Sequence, residues 1–489
     1  MSIARHTVYN LVGAVLPLFV SIVTVPAYLH LIGLERYGVL SVCWLLLGYF
    51  GLFDIGLGRA ITQQIARVPV EDVAQSNRLF WSAIWLSLGL VVFASLLLVP
   101  AAYWGLTLIK FDTAEVAAEV GGTVVWLAFS LPVAMIIGIL NGALQGRERF
   151  AALNGVDVLS NSLSAIVPLT IAWLVGPTLW MLVAGALGVR VLSAVLLFYF
   201  CRRSIPLRRP VKVHRGDARG LLSYGGWVSI TSIIGPMLVF WDRFAIGWVI
   251  GAAAVSIYVL ASTVVQRAAV LPNALTRAMF PRFAYGSDDY AAKIQGQAIT
   301  FLSVVMTPGM ILVMALVHPL LTLWIGADLA RQTAPVLLVL LPGIWFNGMA
   351  HIPYNYLQAT GKPNVVAIIH SVEILPYVGI LMVGLYAFGI PGVALAWTLR
   401  AVADALLLYS RSLGGLRAMR PVTAAAALLS ASTVAALLLP AGSALRWAIM
   451  TLLVLGSCWQ AYRMHPEIIR RGIGMGLSRV RVLLAGRTI

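Results

Sequence analysis

The sequence predicts an all-α polytopic membrane protein of about 14 transmembrane helices, two six-helix lobes related by a pseudo-twofold along the membrane normal plus two extra C-terminal helices. Three observations predict it. The chain is 61% hydrophobic and only 10% charged over 489 residues, with mean hydropathy +0.93, which leaves too little polar surface to clothe a water-soluble fold. Apolar stretches of roughly 17 to 28 residues recur from end to end, each long enough to cross about 30 Å of hydrocarbon as a helix. The chain also repeats itself around buried charge: Arg190 and Arg400 lie in matching apolar runs, and tyrosine follows each nine positions later, at Tyr199 and Tyr409.

The first span, 8–32, follows a single arginine and lacks a small-residue cleavage site before polar sequence, so it reads as a retained helix rather than a removed signal. Spans over 38–58, 79–103 and 121–141 come next, and the fourth ends in Asn141-Gly-Ala-Leu144-Gln145 before the polar turn GRER. Spans over 156–176 and 178–200 meet at Gly176-Pro177. A basic loop over 201–221 closes the first half, with Pro206, Pro210 and Gly216 discouraging continuous helix.

The second half repeats this order with spans over 222–249, 254–279, 297–318, 333–357, 365–388 and 391–410. Its fourth span ends in Asn355-Tyr-Leu357-Gln358 before ATGKP, and its last two meet at Gly389-Ile-Pro391. Because six is even, both halves start on the same side of the membrane, which sets their symmetry axis along the normal and substrate handling near the midplane. Spans over 422–439 and 445–462 fall outside the repeat, giving an N-terminal lobe over 1–205, a C-terminal lobe over 206–420, and helices 13 and 14 with a basic tail over 421–489. Of the prolines inside spans, Pro17 and Pro236 occupy the first helix of each half and are the candidates for bending.

Of the 34 basic residues, 26 fall in the tails, in the alternate loops that share a side with the N-terminus or, for Arg277, at the adjoining edge of the eighth span. Arg36, Lys110, Arg331 and Arg446 fall on the other side, and Arg190, Arg243, Arg267 and Arg400 lie inside spans. The positive-inside rule then places both termini in the cytoplasm. The net charge of +17 therefore reports topology first. The basic loop and tail are placed to meet anionic inner-leaflet lipids, whereas the loop lacks the interleaved aromatics of a nucleic-acid surface. Cys43, Cys201 and Cys458 are scattered and form neither a disulfide framework nor a metal site. No lysine sits in a phosphate-cradling G-x-x-x-x-G-K-[ST] context, no H-E-x-x-H or G-x-S-x-G occurs, and the longest external loop runs only over about 104–120, so enzyme is the weaker class.

An arginine at membrane depth costs from about 3 to well over 10 kcal/mol, so embedded charge signals use. Arg190 and Arg400 fall about ten residues from one end of their spans, near 15 Å depth. Arg400 has Asp404 one turn away, and an i, i+4 pair neutralises both groups without a ligand. Arg190 has Ala194 at that place and needs another helix, a water-filled cavity or an anionic ligand. Arg267 has no acid within its own span. Asp242 and Arg243 lie nearer the external end of the seventh span, Asp54 near the end of the second, and His370 and Glu373 share a face at i, i+3. Glu373 reads as an arginine's partner before a proton or cation coupling site.

The stretches Tyr28-LHLIGLERYG-Val39, Gly51-LFDIGLGRAITQQIAR-Val68 and Phe240-WDRFAIGWVIGAAAVSIY-Val259, with the Leu-Gln turns after spans 4 and 10, resemble bacterial oligosaccharide flippases of the polysaccharide transporter family. That family lies within the multidrug/oligosaccharidyl-lipid/polysaccharide exporter superfamily, and the resemblance covers nearly the whole chain. It implies alternating access in the bacterial inner membrane and translocation of undecaprenyl-pyrophosphate-linked glycans to the periplasm, feeding O-antigen, capsule or exopolysaccharide assembly beside a polymerase. It implies no cofactor, with proton or sodium coupling as an option, and a cationic cavity. Arginine forks suit phosphate oxygens. Arg59, at the cytoplasmic end of span 2, and Arg267 fall where related lipid II flippases use arginines; the site set is thus Arg190, Arg267, Arg400, Arg243 and Arg59. Those flippases carry a charge in the first helix, whereas Val8 to Ile32 has none, which weakens a lipid II assignment. A multidrug or metabolite antiporter of the same fold is the runner-up, and a non-transporting scaffold of glycan synthesis a third class.

Overall fold

The computed structural model describes residues 3–49, 56–69, 71–205, 207, 210, 211, 216, 241–285 and 287–464. Among them the chain is helical, with no strand. In order come α1 (Ile3–Tyr49), α2 (Leu57–Arg67), α3 (Val73–Thr107), α4 (Ala114–Gly146), α5 (Phe150–Leu174) and α6 (Leu179–Ser204). Helix α7 covers 241–249. Then follow α8 (Ala252–Ala268), α9 (Val270–Tyr285), α10 (Asp288–Ile325), α11 (Ala327–Ala359), α12 (Pro363–Ser410), a 3-10 turn (Gly415–Val422), α13 (Thr423–Leu438) and α14 (Ala444–Met464). Eleven stretches of the described residues are long and apolar enough to cross a membrane. Two of these each carry two expected spans, so thirteen of the fourteen expected spans fall on described residues, and the expected seventh lies mostly outside them. Asp54 and Pro236 also lie outside the described residues.

The two double spans are α1 and α12, each broken at one glycine. Gly33 sits at φ 79°, ψ 169° and Gly389 at φ 63°, ψ −141°, regions that only a residue without Cβ enters cheaply. The chain reverses there. Glu373 and Arg400 would lie about 40 Å apart on a straight helix, yet their side chains meet at 3.4 Å. Close approach of the two limbs of α12 needs small residues: a Cβ on Gly384 or Gly392 would run into the other's carbonyl. In α1 the rings of Tyr28 and Trp44 likewise come within 5.3 Å across the Gly33 break.

The expected second span runs into residues 50–55, outside the described residues, and Arg59 lies beyond Gly56, at φ 65°, in the separate helix α2, where it is exposed. The eighth span forms one apolar stretch, Ala252–Thr276, but its helix is interrupted at Ala269: α8 stops at Ala268, four residues before Pro272, whose ring crowds that carbonyl and which offers no N–H to it. Beside the break Ala269 O accepts from both the backbone N–H of Asn273, at 3.1 Å, and its Nδ2, at 2.9 Å.

The chain forms two compact units, residues 1–259 and 260–489. In the first, α2, α3, α4 and α6 enclose a core that includes Leu57, Ile61, Phe80, Ile139, Leu144 and Leu197. The turn after α1's break is clamped by charge. Arg36 donates from Nη2 to Glu119 at 2.7 Å and to Glu115 at 2.8 Å, and Glu119 also accepts from the first N–H of α6, at Leu179, at 2.7 Å. That carboxylate thereby joins an arginine and a positive helix end. Unit 1 reaches beyond the basic loop because α7 and the start of α8 bind its other elements: Lys110 N donates to Gly247 O at 3.0 Å, Ala252 N to Lys110 O at 3.0 Å, and Trp248 Nε1 to Gly105 O at 2.9 Å.

In the second unit α11 packs on α10 and both limbs of α12, with α13 and α14 against α10. Two buried hydrogen bonds tie its helices together: Trp345 Nε1 donates to Thr307 Oγ1 at 2.9 Å, and Tyr409 OH to Met349 O at 3.0 Å. Large apolar side chains cover the outside, with Leu323 88% and Leu375 82% exposed, as expected where lipid rather than water is the solvent.

Candidate functional site

The embedded charges fall into separate places in the two units. In unit 1, Arg190 stands near the middle of α6, half-buried, and makes no hydrogen bond or ion pair among the described residues. Asp242 and Arg243 are buried on α7. Asp242 accepts from Tyr258 OH at 2.7 Å and from the Arg243 backbone N–H at 2.7 Å, so it is held in place by α8. The Nε of Arg243 is sealed from outside and makes no hydrogen bond.

In unit 2, Arg267 occupies the last turn of α8, half-buried, immediately before the Pro272-induced break. The other charges converge. The reversal at Gly389 brings His370 and Glu373 of the first limb of α12 against Arg400 and Asp404 of the second. Arg400 Nε lies 3.4 Å from Glu373 Oε2, and His370 Nε2 lies 3.3 Å from Asp404 Oδ1. Arg400 therefore meets Glu373 and not Asp404, because the folded hairpin offers a cross-limb carboxylate nearer than the one a turn away. His370 and Glu373, expected to act on one face together, each take a different partner. Tyr377 lies under the guanidinium of Arg400, 5.7 Å from ring centre to Cζ, and Tyr354 of α11 stacks on His370 at 6.0 Å with 14° between the rings.

Two features decide what this cluster can do. The acids are more buried than the bases: Glu373 and Asp404 keep 5% and 7% of their side chains exposed, Arg400 and His370 14% and 22%. The cross-limb contacts are also charge contacts rather than formed hydrogen bonds, since neither Arg400 Nε nor Asp404 Oδ1 completes one with its opposite charge, and the carboxyls of Glu373 and Asp404 lie beside each other. No group of three His, Cys, Asp or Glu side chains suited to a metal ion occurs among the described residues. Tyr354 and Tyr377 had no signal beyond an aromatic in an apolar span, and His351 and Tyr354 of α11 gave only an i, i+3 spacing around Pro353.

The model of polysaccharide biosynthesis proteins matches residues 3–287, more than half of the chain. The chain belongs to the polysaccharide biosynthesis protein family. Membership bears out the resemblance read from the glycine- and aromatic-rich motifs, and with the helical fold it makes this family member a membrane transport protein. The MatE model matches residues 228–382. Along 413 residues, 83% of this chain and 97% of the relative, the family member is 29% identical to a candidate O-antigen transporter of Shigella flexneri. Its fold is similar to the lipid II flippase MurJ in an inward closed conformation, with TM-score 0.70 and 14% identity over 95% of this chain and 99% of that one. It is also similar to an inward-facing multidrug resistance MATE transporter of the MOP superfamily, with TM-score 0.60 and 18% identity over 87% and 96%. These matched proteins are transporters or flippases rather than enzymes.

Proposed function

We propose that this protein is a flippase that moves undecaprenyl-pyrophosphate-linked oligosaccharide units from the cytoplasmic to the periplasmic leaflet by alternating access, for O-antigen, capsule or exopolysaccharide synthesis. The observation that carries the reading is the nearly end-to-end similarity to the candidate O-antigen transporter. The repeat supports two six-helix lobes, 1–205 and 206–420, and the side bias of 26 among 34 basic residues supports an inner-membrane protein with both termini cytoplasmic. A diphosphate cannot cross hydrocarbon unescorted, and a half-buried arginine without counter-charge, Arg190, suits it. Proton or sodium coupling is the option this reading carries for the driving force. A polymerase of the same glycan is the protein partner this reading predicts.

The test is to delete the gene and follow the lipid-linked intermediate. Accumulation on the cytoplasmic face with loss of surface glycan is expected, reversed by the wild-type chain and not by an inserted Arg190→Ala variant. Unchanged surface glycan in the deletion would overturn the flippase reading. The MatE match over 228–382 favours one second reading, a multidrug or metabolite antiporter, which predicts altered drug tolerance and an unchanged glycan intermediate.

A further inference from the structure

We infer that Arg400 is a masked oxyanion site whose guard is Glu373: a phosphate-class anion takes Arg400 by displacing the Glu373 carboxylate. The argument starts from how loosely the pair is made. Arg400 is 3.4 Å from Glu373, but no hydrogen bond forms between them and the Nε of Arg400 has no hydrogen-bond partner. A guanidinium carries five donors in a planar fork matched to two oxygens of a carboxylate or phosphate. Here the fork's charge is compensated while its hydrogen-bonding capacity is unspent, so an oxyanion that forms those bonds exchanges favourably for Glu373.

The layering of the cluster selects the sign of the ligand. An entering group meets Arg400 and His370 first, because these keep more exposed surface than the two acids. A cation would face two positive or neutral bases before reaching any carboxylate. An anion meets a guanidinium already oriented over Tyr377 and an imidazole backed by Tyr354. The titratable groups around the site are Glu373, Asp404 and His370 on α12, with His351 and Tyr354 on α11; after exchange His370 still compensates Asp404.

The repeat-related Arg190 has Ala194 where Arg400 has Asp404 and no partner among the described residues. One arginine of the pair is therefore open and the other guarded. This deepens the flippase reading and rests on it only for the diphosphate as the natural ligand.

The experiment measures binding of inorganic pyrophosphate to the full-length protein in phosphatidylcholine nanodiscs by calorimetry. Glu373→Gln keeps the shape and removes the guard's charge, so it should bind at least tenfold more tightly than wild type. Glu373→Gln/Arg400→Gln should lose the gain. Glu373→Asp, which retracts the carboxylate by one methylene, should give an intermediate gain and serves if the glutamine variant does not fold. Adding phosphatidylglycerol separates sources: a lipid headgroup as ligand abolishes the gain, whereas a substrate diphosphate leaves it, and both keep Arg400 as the site. The inference is overturned if neither guard variant binds more tightly, or if the double variant keeps the gain. Because binding is read without transport, a failed deletion phenotype with an intact Glu373→Gln gain sinks the flippase reading alone.

Discussion

Arg190 and Arg400 are related by the repeat, yet removing them should have opposite consequences for stability. Consider methionine at each position, which keeps the length and apolar stem of the side chain. At Arg400 the ion pair at 3.4 Å is worth about 5 kcal/mol by Coulomb's law at an effective dielectric of about 20. Desolvation has already offset part of that, so Arg400→Met should cost about 3–5 kcal/mol, chiefly because Glu373 is left as an uncompensated buried charge. Arg400→Met/Glu373→Gln removes both charges and should recover most of the loss. At Arg190 no counter-charge among the described residues is orphaned. Arg190→Met sheds a desolvated cation and should be neutral or stabilising by up to about 1 kcal/mol while surface glycan is lost, the pattern of a residue kept for use rather than for folding. Thermal unfolding in detergent, followed through the 15 tryptophans, reads all four proteins. The reasoning fails if Arg190→Met destabilises as much as Arg400→Met, or if the double variant melts no higher than Arg400→Met.

Two further expectations use the same melting assay. Glu119→Ala should destabilise by roughly 2–4 kcal/mol, losing charge-assisted bonds to Arg36 and Leu179, whereas Glu115→Ala, 73% exposed, should cost under about 1 kcal/mol; equal effects would show that the clamp does not depend on burial. Gly389→Ala places a Cβ at φ 63° and should cost about 1–3 kcal/mol, while Gly379→Ala, with open space around it, should not destabilise; a harmless Gly389→Ala would mean the reversal tolerates another conformation.

Much of this architecture was legible because hydropathy and charge act locally. An apolar run of about 20 residues has to be a helix in lipid wherever it sits in the chain, so span number and repeat could be read without knowing any contact. The Gly389 junction was visible for the same reason, since glycine and proline constrain their own backbone. The break after Arg267 was less so: Pro272 was in view, but proline in membrane helices is often absorbed, and whether the freed carbonyl finds another partner depends on neighbours.

The sequence by itself determined the helical class, the count of spans and the presence of charges too costly to be accidental. Only the tertiary structure decided which charges neutralise one another. Local spacing offered Asp404 to Arg400, but the reversal at Gly389 brought Glu373 against it and left Asp404 to His370. Electrostatic partnership depends on distance in space, and a hairpin of apolar helices makes residues 27 positions apart nearer than residues four apart. That is why two arginines alike in sequence became one open cation and one guarded one.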